Sequence, residues 1–308
     1  MQRQLTFGGG VSPRNTRLRG QSIIVYVLII AVIGLVIVFA GPGVAGAIRN
    51  QFNLVGNTVN SGTGAGTEGG ASGGGSTGAD SATVQAAVAK DAKDWTLDEQ
   101  KAVAVDIAAK GEASPAYAKA EAAMNAGTKF SVKLTNGETL EYRIIGIDHD
   151  EAADGNGKAG LTFQANHYVF DYQRVNATDT NVGGWEKSEL RERLNSGDLW
   201  TLLPTELRGK IEPVKKMTDN QGGGKVGIPT DTVDKVFMLS ATEFDGSTGA
   251  DGFQYEYYAE KGLPKPRMWT RSVYQGRFDM FVYYDFDNKP SGHFAAYTAA
   301  PPSVAFCF

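Results

Sequence analysis

From Ile23 to Ala40 every residue is apolar or small, and no charge interrupts the chain between Arg19 and Arg49. A run of this length is close to the ~20 residues that cross a bilayer as a helix. The twenty residues before it hold four arginines and no acid. Basic flanks stay on the cytoplasmic side, so everything after the run is expected outside the cell. A cleavable secretory signal with "GVAGAI" as its cleavage site is the competing reading, although such signals have shorter apolar cores. Gly41-Pro42-Gly43 then breaks or kinks the helix. Membrane contact is expected over residues 22–48.

The remainder reads as polar and globular. Net charge is -4 with a pI near 5.5, which gives no basic footprint for nucleic acid. One cysteine, Cys307, excludes an internal disulfide and a cysteine zinc site, and its apolar setting "VAFCF" predicts burial. Residues 56–80 are almost entirely Gly, Ser, Thr, Ala and Asn, a spacer with an r.m.s. reach of ~25–30 Å. Residues 81–127 read as helices. Ser81 caps a first one, and Thr96 with Glu99 forms a capping box for a second that ends at Gly111. Ser114-Pro115 opens a third, stopped by Gly127. These helices either pack on the following domain or form a stalk.

Residues 128–308 form the last domain. Apolar and polar residues alternate around Asn136-Gly137, a hairpin signal. A strand through Leu161 and Phe163 follows. Ser188 caps a helix with Leu190 and Leu194 inward, and Pro204-Thr205 starts another with Leu207 and Ile211 inward. "DKVFMLSATEF" reads as a buried strand, and the end of the chain as two or three short strands with turns at Gly276 and Asn288-Lys289-Pro290. Hairpin, helices, then strands gives an α+β class.

Two segments resemble known families. Gly20-Gln21-Ser22-Ile23-Ile24-Val25-Tyr26, with the apolar helix and "AIRNQFNLVGNTV", resembles Flp-type pilins of Tad pili, a type IV branch. The resemblance implies cleavage between Gly20 and Gln21 by a prepilin peptidase, and packing against other pilin subunits over residues 21–55. Val25 stands where the family has glutamate, a departure that suits a minor or tip subunit. "GKAGLTF", "GGWEKSELRERLN", "TDNQGGG", "WTRSV" and the terminal "FCF" resemble an uncharacterised domain family of bacterial surface proteins. This second resemblance implies a C-type-lectin-like fold, related to formylglycine-generating enzymes and to the variable proteins of diversity-generating retroelements. In those proteins a stable scaffold displays a changeable binding face.

The segment 273–303 is crowded with aromatics: Tyr274, Phe278, Phe281, Tyr283, Tyr284, Phe286, Phe294 and Tyr297. Such side chains bring large contact area at little entropic cost. In the strand from Met280 the more apolar face (Met280, Val282, Tyr284, Phe286) is assigned to the core. That leaves Phe281, Tyr283 and Asp285 displayed, joined by Tyr274, Arg277, Asp279, Asp287, His293 and Tyr297 from the loops. Trp185, Leu190, Leu194, Trp269 and Arg271 read as scaffold, with Arg271 paired to an internal acid.

Other chemistry finds little support. Asp148, Asp150, Asp154 and Asn156 fail calcium-loop spacing at Ala152 and Ala159. The Glu-Pro-Asn motif of sugar-binding lectins is absent. "QGGGKVG" lacks the rest of a phosphate loop and reads as a flexible loop. His149, His167 and His293 are dispersed, and one cysteine is too few for formylglycine generation. No cofactor or metal is expected. The expectation is a non-enzymatic adhesin at the cell surface, membrane-anchored or in a pilus, binding an unknown protein or surface ligand. A membrane-anchored enzyme of related fold and a decorated structural pilin are the alternatives.

Overall fold

The computed structural model describes residues 81–165, 170–246, 251–261, 268–284, 290–295 and 298–308. The leader, the apolar segment and the spacer lie outside them, as do His167, Asp285, Asp287 and Tyr297. All described residues belong to one compact unit, Gly66–Phe308. Among them no helix is long and apolar enough to cross a membrane.

Three helices come first: α1 (Ser81–Ala89), α2 (Leu97–Lys110) and α3 (Tyr117–Ala126). Ser81, expected as a cap, is the first residue of α1. The Thr96–Glu99 capping box is present, and Gly127 closes α3 in a left-handed conformation. The helices pack on the sheet that follows. Trp95 stacks on Phe130 at 6.2 Å, and the Tyr142 hydroxyl bonds Gln100 at 3.0 Å. Helix α2 backs onto Gly160 so closely that a Cβ there would lie 1.9 Å from the Ala104 carbonyl oxygen.

The main sheet is antiparallel, in the order β1 (Phe130–Lys133), β2 (Thr139–Ile147), β3 (Leu161–Ala165), β10 (Val304–Cys307), β6 (Val236–Met238). The β1–β2 hairpin closes with Leu134 N–H donating to Glu138 O and Gly137 N–H to Leu134 O. Gly137 has φ 89°, the bulged three-residue loop that glycine permits. The last strand lies inside the sheet. Its Phe306 meets Tyr142 and Phe163 at 5.3 and 5.6 Å, and Phe308 meets Phe163 at 4.9 Å. Cys307 is fully buried.

Helix α4 (Glu189–Asn195) packs on β6 and on α5 (Asp198–Leu202), which α6 (Thr205–Arg208) follows. Ser188 caps α4, and Leu190, Leu194 and Leu207 are buried as expected, whereas Ile211 lies beyond α6 and is half-buried. A second hairpin, β4 (Val214–Thr218) with β5 (Thr230–Asp234), has no counterpart in the sequence reading. "DKVFMLSATEF" is corrected as well. Asp234 ends β5, and Val236–Met238 is the only further strand in it. Ser240 and Glu243 then form a capping box that starts α7 (Ala241–Asp245). Helix α8 (Glu256–Lys261) follows, and β7 (Met268–Val273), β8 (Met280–Tyr284) and β9 (Pro290–Phe294) make a separate three-stranded sheet. The described residues are thus a mixed, α+β assembly around one core.

Candidate ligand-binding face

The small sheet and its β7–β8 turn carry six of the nine residues singled out for display, and three of the six are buried. Phe281 and Tyr283 are 0% and 1% exposed, so their placement on the surface is corrected. Cross-strand register sets Trp269 opposite Tyr283 and His293 opposite Phe281. The Tyr283 ring lies 5.5 Å from Trp269 and 4.5 Å from His293. Irregular chain covers this face: Trp269 Nε1 donates to Gln173 O at 2.9 Å, Gln173 pairs with Ala300, and Trp269 bridges to Pro302. The opposite face is covered too. Tyr284 packs on Phe244 at 5.3 Å and its hydroxyl bonds Asp245 at 2.5 Å. Strand alternation separates two faces but does not say that both are buried.

Asp279 is also buried, in a bidentate ion pair with Arg277 at 3.0 and 2.9 Å. His293 is half-buried. Tyr274 and Arg277 are exposed where expected. Asp285, Asp287 and Tyr297 fall outside the described residues.

At the end of the sheet the exposed side chains gather. Tyr274 (39% exposed) lays its ring on Gly292, where a Cβ would come within 2.8 Å of it. The Arg277 guanidinium sits 5.7 Å over the ring of Phe294, itself 37% exposed. Phe278 is 61% exposed.

Two loops brace this turn. Asn181 donates from Nδ2 to Arg277 O and Met280 O at 2.8 and 2.7 Å, and from its backbone N–H to Phe278 O at 2.7 Å. Its Oδ1 accepts from Gly223 N–H at 2.8 Å. Gly222 has φ 57°, and a Cβ there would lie 1.9 Å from Asn181 O. Asp219 holds the other end of the glycine-rich loop, accepting from Gln221 N–H and Gly227 N–H. The "QGGG" segment is therefore a tied loop, not a loose one. Exposed Val182, Val226 and Ile228 lie on the two bracing loops. In the sequence Phe278 counts among the aromatics of the segment but not among the displayed residues, and Asn181 carries no assignment. Only their proximity gives them a role, and the adjoining glycines were the available signal.

Beneath β4, a closed polar cluster ties the molecule together. Lys216 Nζ lies 2.6 Å from Asp150 Oδ1 and 2.6 Å from Glu243 Oε1, with side-chain exposures of 2–4% among the three. Arg271, fully buried, clasps Glu243 at 2.5 and 2.9 Å and also donates to Thr218 Oγ1 and to the carbonyls of Met217, Met238 and Asp251. Arg271 thus pairs with an internal acid as expected. Tyr255 and Thr162 donate hydroxyls to Asp150.

Burial would raise the Asp150 and Glu243 carboxyls, but the cations beside them hold both below the ordinary range. Burial would lower Lys216, yet Asp150 and Glu243 raise it. Burial, with the Asp150 charge, pushes the Tyr255 hydroxyl and Cys307 thiol well up. Asp154 turns away and caps Asn156 at 2.9 Å. Among the described residues no group of three His, Cys, Asp or Glu side chains is placed to hold a metal.

Residues 159–306 match the model of a family described as a domain of unknown function, DUF6273. The matched segment runs from β3 to β10 and includes Asn181, Gly222, Arg271 and Tyr274. The pairing strands β1 and β2 and the three leading helices lie outside it. No curated protein matches the chain. No solved structure matches it either.

Proposed function

We propose that the folded unit is a ligand-binding module of C-type-lectin-like architecture, displayed at the cell surface on the pilin-like N-terminal segment. The observation that carries this reading is the cluster of exposed Tyr274, Phe278 and Phe294 with Arg277 at one end of the small sheet. Aromatic and arginine side chains on a rigid support are the usual anchors of recognition surfaces. Here the support is the Asn181 bracing, which holds the turn before any ligand arrives and lowers the cost of ordering it. Incorporation of the last strand inside the main sheet supports the lectin-like reading. The basic leader, Gly20-Gln21 and the apolar run support export and assembly with other pilin subunits.

Recognition is by shape and aromatic contact. The buried charge cluster presents no atom to a substrate, which weighs toward a binder over an enzyme. The face is proposed as the part that varies if a diversity-generating retroelement targets the gene.

The test is to probe the purified full chain against arrays of glycans and cell-surface proteins, beside the double variant Tyr274→Ala/Phe278→Ala. Binding by the wild type that drops at least ~10-fold in the folded variant supports the reading. Equal binding by both refutes it.

A further inference from the structure

The cluster around Lys216 has a shape that ion pairing alone does not require. Ala152 opposes Val214 across an antiparallel bridge, which sets Asp150 directly opposite Lys216. The two oxygens of the Asp150 carboxylate are treated differently. Oδ1 meets the Lys216 ammonium at 2.6 Å, while Oδ2 accepts from the Thr162 hydroxyl at 2.6 Å and the Cys307 thiol at 3.4 Å; the Tyr255 hydroxyl, which itself accepts from Lys216 Nζ at 3.0 Å, lies 2.9 Å from Oδ2 and 3.1 Å from Oδ1. Lys216 has a second carboxylate at the same distance, Glu243 Oε1, which Arg271 holds in place. The Phe237 ring lies 4.2 Å from Nζ, and every member of the group is sealed from solvent.

We propose that Lys216 and Asp150 become joined by an intramolecular amide bond, with Glu243 as the proton relay and Thr162 and Tyr255 as the oxyanion donors. The step needs no oxidant, reductant or co-substrate. A proton passes from Nζ to Oδ1, which gives a neutral amine beside a neutral acid. Nζ attacks Cγ, and Oδ2 takes the negative charge between the two hydroxyls. Glu243 accepts a second proton from Nζ and hands it to the Oδ1 hydroxyl. The Cγ–Oδ1 bond breaks, Oδ1 leaves as water, and Oδ2 closes back to a carbonyl. Two protons and one oxygen depart, and one N–H remains.

The product fits the site as well as the reactants do. The carbonyl keeps both hydroxyl donors, and the new N–H points to Glu243 Oε1. Glu243 and Arg271 remain as a neutral pair, so the interior loses two charges that were costly to bury. Oriented, water-excluded contact can raise intramolecular rates by many orders of magnitude. The ion pair is the resting form, so the neutral pair forms rarely. One event per molecule is enough for a permanent bond. The link would tie the loop after β2 to β4 and close a long stretch of chain, which suits a domain exposed outside the cell.

Mass spectrometry of the full chain decides it. The expected result is a tryptic species in which the peptide containing Asp150 is joined to the one containing Lys216, lighter than their sum by one water. Asp150→Asn is expected to give the same link with loss of ammonia. Glu243→Gln, if folded, is expected to leave the two peptides separate. Recovery of unlinked peptides at full mass from folded wild-type protein overturns the proposal. Complete linkage in Glu243→Gln overturns the role given to Glu243.

Discussion

A single methyl group tests how tightly the loops are braced. Gly222 sits at φ 57° with the Asn181 carbonyl where a Cβ would be. Gly222→Ala is expected to lower stability by ~1–3 kcal/mol, read from the denaturation midpoint. Arg271 is a harsher case. Its replacement by Met leaves Glu243 charged and buried, and a loss of ~3–5 kcal/mol is expected. The same pair sets a pH dependence. Burial raises the Glu243 carboxyl, but Arg271, charged whether or not Lys216 is linked, holds it below the ordinary 4.5. A depressed folded pKa contributes stability above the unfolded value and loses it as pH falls through the folded one. The unfolding midpoint should therefore decline below pH 4.5. Glu243→Gln should be less stable at neutral pH and decline less steeply over that window.

Residue type alone identified part of this layer. Trp185, Trp269 and Arg271 are rarely wholly buried without a partner, and each has one here: Asp234, Gln173 O and Glu243. Lys216 and Asp150 were not legible as a pair, because 66 positions separate them and only the bridge beside β4 brings them together.

At the scale of elements, local chemistry was the better guide. Thr96-x-x-Glu99 and the glycines after α2 and α3 mark the helices because capping satisfies orphan backbone donors at the first turn and orphan carbonyls at the last, all within a few residues. Thr96→Ala should lower stability by ~1 kcal/mol, measured by chemical denaturation. The same signature at Ser240-x-x-Glu243 was absorbed into a strand, since the apolar run before it dominates the pattern. The β4–β5 hairpin was missed because Val233 and Met217 face solvent while Lys216 faces inward, the reverse of ordinary alternation. The two faces of β8 were told apart correctly, but burial was assigned to one of them alone. Coverage by the Gln173–Ala300 pairing is a long-range event that no strand pattern records.

For the whole molecule, the division between scaffold and display is the claim with most at stake. Phe281→Ala should cost ~3–5 kcal/mol, as for other buried phenylalanines, whereas Phe278→Ala should change stability by no more than ~0.5 kcal/mol. Those two thermal melts separate core from surface in one strand and its turn. The functional side needs the chain on its cell. The most direct measurement is adhesion of cells producing the full chain, compared with a gene deletion and with Tyr274→Ala/Phe278→Ala/Phe294→Ala at equal surface level. The expected result is that the triple variant adheres as poorly as the deletion while its folded unit melts within a few degrees of wild type. Adhesion by the triple variant equal to wild type would contradict the assignment of this face to recognition.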